Sequence, residues 1–121
     1  MRAASAVRTQ NSGVLIKNGK KNGKGTFVAK TDLNTGKRLE YYVGNFVDDF
    51  MEGKGTWYFG ENDYWYGIFI QNKKNGVGLS YIHEKNQYHL QKYDNNVFVR
   101  EIPITSKELQ EIKQNYNFLM K

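Results

Sequence analysis

Gly19-Lys20-Lys21-Asn22-Gly23-Lys24-Gly25-Thr26 is the stretch of this chain closest to a phosphate-cradling loop. Such a loop needs four residues between its glycines and a Ser or Thr after its lysine to ligate magnesium. Here three residues intervene and Gly25 takes the hydroxyl position, so the segment fits a hairpin turn better than a nucleotide site. His83 and His89, the two histidines, lie six apart with no acidic or cysteine partner at ligand spacing, and surface strand positions account for them. Asp48, Asp49 and Glu52 lack the alternation and the glycine of a calcium loop and suit a solvated turn. Nothing sets two carboxylates in one pocket, and no serine has a His/Asp companion at a strained elbow. The chain is therefore expected to be no enzyme, with no cofactor and no metal site.

Cations offer the remaining chemistry. Arg2, Arg8, Lys17, Lys20, Lys21, Lys24 and Lys30 precede the first acid, Asp32, so the basic balance of +6 belongs to the N-terminal quarter. Lys20, Lys21 and Lys24 recur in kind as Lys73 and Lys74 farther along. Lysines on exposed strands keep sheet edges from pairing. They also fit an anionic surface: a lipid headgroup, an acidic protein face such as tubulin, or RNA. Nucleic acid is the weakest of these, because the aromatics that would stack bases are needed elsewhere. Residues 1–12 have too few large apolar side chains to fold alone. They are expected to run extended along an acidic partner, with Arg2 and Arg8 as anchors, the planar guanidinium pairing bidentately with carboxylates. Met1–Gln10, acid-free with Arg, Ala and Ser, also fits an organelle-targeting remnant.

What must position these residues is a phrase stated twice at one spacing. Tyr42, Gly44, Phe46, Gly53, Gly55 and Trp57 are followed 23 residues later by Trp65, Gly67, Phe69, Gly76 and Gly78, with Ser80 in place of the second aromatic. A partial copy precedes them as Gly23, Gly25 and Phe27, where the interval of 30 leaves room for a turn-rich insertion, Lys30–Leu39. A fixed period of this length marks an array. Alternation places Tyr42, Gly44 and Phe46 on one face of a strand, Asp48–Glu52 in the reversal, and Gly53, Gly55, Trp57 and Phe59 on the matching face of the return strand. Glycine weakens a strand unless something must approach its backbone, so an aromatic of one hairpin is expected over the glycine of the next.

The pattern Tyr-x-Gly-x-Phe, a short turn, then Gly-x-Gly-x-aromatic resembles the membrane occupation and recognition nexus (MORN) repeat, over roughly residues 13–82. The resemblance implies a mostly β chain: an elongated, twisted antiparallel sheet of meandering hairpins. Copies fall near 13–29, where Ser12, Val14 and Ile16 replace Tyr, Gly and Phe, and at 42–59 and 65–82. Degenerate closing strands follow at 88–100, where Leu90 and Lys92 stand for Gly and Phe. The array therefore occupies 13–100, between the basic arm 1–12 and a C-terminal segment 101–121.

Tyr66, Ile68, Ile70, Val77, Leu79 and Tyr81 make the third copy apolar on its second face as well, which demands a cover. Thr105-Ser106-Lys107-Glu108 is a capping box, and Leu109, Ile112, Tyr116 and Leu119 then share one helical stripe. A helix over 106–120 is expected to close the array and cover that face. No apolar run reaches the roughly 20 residues of a membrane-spanning helix. With no cysteine, disulfides and thiolate metal sites are excluded. Lysine (14) outnumbers arginine (4) and asparagine reaches 13, the bias of AT-rich coding sequence common in protists. The resemblance implies a non-enzymatic scaffold, a small structural subunit of a cytoskeletal or axonemal assembly in cytoplasm or cilium. Two alternatives are a peripheral module for anionic phospholipid and an accessory subunit of a mitochondrial complex.

Overall fold

A computed structural model describes residues 8–10, 15–60 and 62–116. Among these residues nine strands are formed: β1 (Arg8–Gln10), β2 (Leu15–Lys17), β3 (Lys20–Thr31), β4 (Arg38–Val47), β5 (Phe50–Tyr58), β6 (Tyr64–Ile70), β7 (Lys73–Ile82), β8 (Gln87–Asp94) and β9 (Val97–Pro103). One helix, α1 (Ser106–Tyr116), follows them. Every pairing is antiparallel and every neighbour sequential from β3 to β9, with β1 and β2 both along β3. The sheet runs from one edge to the other without closing, which is the hairpin meander the repeats imply.

The reversals are tighter than the sequence indicates. Asp48 and Asp49 alone turn the chain, with φ of 48° and 72°. Asn18-Gly19, Gln71-Asn72 and Asn95-Asn96 do the same with both φ positive. Such two-residue turns match the right-handed twist of flanking strands, and Asn, Asp and Gly enter that region most cheaply. Phe50 and Met51, expected in the reversal, already belong to β5, and Met51 is buried in the core. The surplus residues are taken up farther on. Between Gly44↔Gly55 and Phe46↔Met51 the register slips, and Gly53 sits there at φ 89°. The slip recurs between Tyr66↔Leu79 and Ile68↔Asn75, with Gly76 at φ 80°.

The two glycines of each Gly-x-Gly thus have different duties. The first supplies a left-handed bulge; a Cβ at Gly76 would meet nothing within 4 Å. The second accepts a ring: a Cβ on Gly55 would overlap the Tyr42 ring, and one on Gly78 the Trp65 ring. The rings cover glycines of their own hairpin, where the next hairpin's was expected. Each leans along its own strand over the residue two ahead and its cross-strand partner. Trp65, for instance, also comes within 2.5 Å of a Cβ placed on Gly67.

These rings form one continuous core on the first face. Tyr42, Phe46, Trp65 and Phe69 are fully buried, each burial stabilising by roughly 2–3 kcal/mol. They meet edge to face: Tyr42–Phe69 at 4.8 Å and 74°, Trp65–Phe69 at 5.5 Å and 78°, Trp65–Tyr93 at 5.3 Å and 75°. Tyr93 lies 24 residues after Phe69 rather than 23, so β8 and β9 make a fourth hairpin displaced by one residue.

On the second face Tyr41, Tyr58, Tyr64, Tyr81 and Tyr88 are successive cross-strand partners. Tyr41 stacks on Tyr58 at 4.5 Å, and Arg38 lies 4.6 Å over the Tyr41 ring. Burial among these rings pushes the Tyr64 phenol up to about 12. Of the apolar residues expected on this face, Tyr66 and Leu79 are buried, while Ile68, Ile70 and Val77 stay exposed. The helix begins where the capping box places it: Thr105 Oγ1 accepts the Glu108 N–H at 3.2 Å, and Glu108 Oε1 accepts the Thr105 N–H at 3.0 Å. Its early turn faces Tyr88, His89 and Pro103 across a small cleft lined also by Leu109. Leu119 and the Tyr116 side chain lie outside the described residues, and with them the expected cover. Among the described residues no helix is long and apolar enough to cross a membrane.

Candidate interaction surface

All four two-residue turns fall on one margin of the sheet, where a hydrogen-bond ladder fixes them to one another. The second residue of each later turn pairs twice with the preceding hairpin. Asp49 N–H donates to Lys21 O at 3.0 Å, and Lys21 N–H to Asp49 Oδ1 at 2.7 Å. Asn72 and Met51 repeat the pair at 3.0 and 2.8 Å, and Asn96 and Lys74 at 2.9 and 2.9 Å. Lys21, Met51 and Lys74 are therefore structurally equivalent, one per hairpin.

The Lys21 backbone N–H, then the Lys21 side chain, hold the Asp49 carboxyl below its ordinary value of 3.8. A lowered folded-state pKa stabilises the fold above pH 3.8, and that contribution is lost as pH falls through the lowered value. Asp49→Asn, which adopts the residue of the next two turns, is expected to flatten the fall in melting temperature below pH 3.8. Circular dichroism melts over descending pH check it.

The cations singled out by sequence do not form one patch. Arg2 lies outside the described residues. Arg8 lies in β1 opposite Val28, so residues 8–10 run along the chain's own β3. Lys20, Lys21 and Lys24 are on β3, while Lys73 and Lys74 begin β7, four strand spacings or roughly 19 Å away. Lys20, Lys24 and Lys73 are exposed. Lys21 Nζ pairs with Asp49 Oδ1 at 3.0 Å.

Lys74 behaves differently. Its Nζ lies 4.6 Å from the centre of the Tyr93 ring, 5.7 Å from Trp65 and 5.8 Å from Phe59. Burial lowers its pKa, and the charge of Glu40 opposes that shift. It borders an open cavity of about 290 Å³ lined by Met51, Trp57, Phe69, Asn72 and Asn96. A lysine turned onto the aromatic face gives no signal in sequence until Lys74 is aligned with Met51.

The closing strands expected at 88–100 are β8 and β9, but the exposure of β9 is a second feature that sequence reasoning missed. Every residue of β9 is exposed, including Val97 at 65%, Phe98 at 50%, Val99 at 49% and Ile102 at 42%. It pairs with β8 on one side and, among the described residues, ends the strand order on the other. The run Val97-Phe98-Val99 was the available signal, since three consecutive large apolar residues exceed what one buried face requires.

His89 lies in β8, whereas His83, expected on a strand, begins the exposed turn between β7 and β8. His83 N–H donates to Asp63 Oδ1 at 2.7 Å, and His89 Nδ1 lies 3.3 Å from Glu101 Oε1. Among the described residues no group of His, Asp or Glu is arranged to hold a metal ion.

An open antiparallel array of four hairpins, registered by stacked turns and packed through ring-over-glycine contacts, defines a repeat-built interaction module. The MORN repeat family model matches residues 16–31 and 42–64, and those segments of the chain are MORN repeats. The geometry of the matched hairpins continues in β6–β7 and β8–β9 beyond them. No curated protein matches the chain.

Proposed function

We propose that the chain is a non-enzymatic scaffold subunit that joins a larger protein assembly through the free edge of β9. The exposed strand carries this proposal. An uncovered edge bearing four large apolar side chains is a template for another chain's strand, and soluble proteins otherwise blunt such edges with charge, proline or bulges. Arg100, Glu101 and Pro103 temper the strand's second half and the register slips at Val99, opposite Lys92 and Tyr93, whereas Val97 and Phe98 carry neither charge nor proline. The basic arm, with Arg2 and Arg8, is a second contact for an acidic face of the same assembly. A cytoskeletal or axonemal setting is the first choice for that assembly, and a mitochondrial complex the alternative.

Phe98→Lys with Val99→Lys should abolish incorporation of a tagged chain into its native assembly at raised salt. The melting temperature should change little, because both side chains are already half exposed. Full incorporation of this double variant would rule out the β9 edge. The exposed Ile68, Ile70 and Val77, with Lys24, Lys54 and Lys92 on the same face, favour one second reading, adsorption to anionic lipid. Co-sedimentation with phosphatidylserine vesicles that vanishes at high salt, together with a cytosolic pool free of large complexes, would support it.

A further inference from the structure

Equivalence among the three turn-docking positions exposes an anomaly at Lys74. At the first, Lys21 is charged and the turn residue docked upon it, Asp49, supplies a carboxylate 3.0 Å away. At the second, Met51 is apolar and the turn residue is Asn72. At the third the cation returns as Lys74, but the turn residue is Asn96, a neutral amide. Among the described residues no carboxylate lies within ion-pair distance of Lys74 Nζ. Glu40 acts on it from farther away, and Glu101 Oε1 accepts from Gln91 Nε2 at 2.8 Å. Three ring faces lie within 6 Å of the ammonium, and they compensate only part of its lost hydration.

The cavity beside it provides the missing half. Its 290 Å³ matches the low end of small-ligand sites, and its lining is what an apolar stem bearing one anionic head requires. Trp57, Phe69 and Met51 supply the apolar wall, while Asn72 and Asn96 stand at the rim beside Lys74. We propose that this cavity binds a carboxylate borne on an apolar or aromatic side of a partner polypeptide, Lys74 taking the place in the pair that Asp49 completes for Lys21. The carboxylate belongs to a protein rather than a phosphorylated ligand. One ammonium with no second cation among the lining residues suits a single negative charge, and phosphate sites cluster cations or backbone N–H groups. The inference takes the kind of partner from the scaffold proposal, but the site itself is independent of β9.

The test is an NMR titration of the intact chain with phenylacetate, following the indole N–H signals of Trp57 and Trp65, with phenylacetamide as neutral isostere. Phenylacetate should bind at least about tenfold more tightly than the amide, the worth of one charge-assisted bond. Lys74→Met, which installs the residue of the second hairpin, should remove that preference while melting no lower than the wild type. Equal binding of acid and amide, a preference that survives Lys74→Met, or tighter binding of inorganic phosphate would each overturn the proposal. Because the probe does not involve a second strand, these outcomes are separable from failure of the β9 edge.

Discussion

Gly78→Ala is expected to destabilise the chain by about 2–4 kcal/mol, lowering its melting temperature by roughly 8–16 °C. The added methyl would enter the space of the Trp65 Cε2 and Cζ2 atoms and come within 2.5 Å of the Tyr66 carbonyl oxygen. Neither can yield cheaply. Trp65 is fully buried and held between Phe69 and Tyr93, and the carbonyl belongs to the sheet backbone. Gly55→Ala should cost a similar amount against Tyr42, whose hydroxyl donates to Asn45 O at 2.8 Å and so fixes the ring. Gly44→Val and Gly67→Val fall in the same class, each Cβ lying only 2.5 Å from its nearest neighbour, the Gly55 Cα or the Trp65 ring. Gly76→Ala is the control. It meets no atom within 4 Å, so its cost is the left-handed backbone alone, on the order of 1–2 kcal/mol. Thermal melts of the pair decide the matter: a Gly78→Ala loss no larger than that of Gly76→Ala would mean the ring does not pack there.

Trp65→Ala should be costlier, about 3–5 kcal/mol. The indole is 0% exposed, covers two glycines, meets Phe69 and Tyr93 edge to face, and donates from Nε1 to Gln91 O at 3.4 Å. Glycines beneath it offer no side chains to collapse into the void, so the cavity term is felt almost in full. A domain of this size has only about 5–15 kcal/mol to lose. The variant is therefore expected to be largely unfolded at 37 °C, with Lys74 deprived of one of its rings. Trp57→Ala, at a half-buried position, should be milder. Urea unfolding followed by tyrosine fluorescence compares the two, and similar midpoints would contradict the central place given to Trp65.

The hairpin array was legible because spacing and residue type agree in two copies, and because ring-over-glycine packing tolerates few substitutions. Tyr42, Gly44 and Phe46 against Trp65, Gly67 and Phe69 reveal it directly. The capping box at Thr105 was equally plain, since local hydrogen bonds dictate it. Less was legible where one residue type serves two physical ends. Gly53 and Gly55 look alike in sequence, yet one enters a left-handed bulge and the other lies beneath a ring. Asp48 and Asp49 turn the chain alone because a tight turn fits the sheet's twist, and the bulge at Gly53 then restores the register. The fourth hairpin hid behind a one-residue displacement that placed Tyr93 out of phase with Phe69. Lys74 and the closing strands were singled out, but their surroundings were not legible, because alternation alone does not say what a lysine lies against or whether the last strand is covered. The fold turns the one onto an aromatic face and leaves the other exposed.

Hydrogen–deuterium exchange measured on the isolated chain and on the chain within its native assembly tests the scaffold proposal most directly. Amides of Val97–Ile102 that point away from β8 should exchange freely in isolation and become protected in the assembly, while those of β4–β6 stay protected in both. Unchanged exchange along β9 in the assembled state would contradict the account.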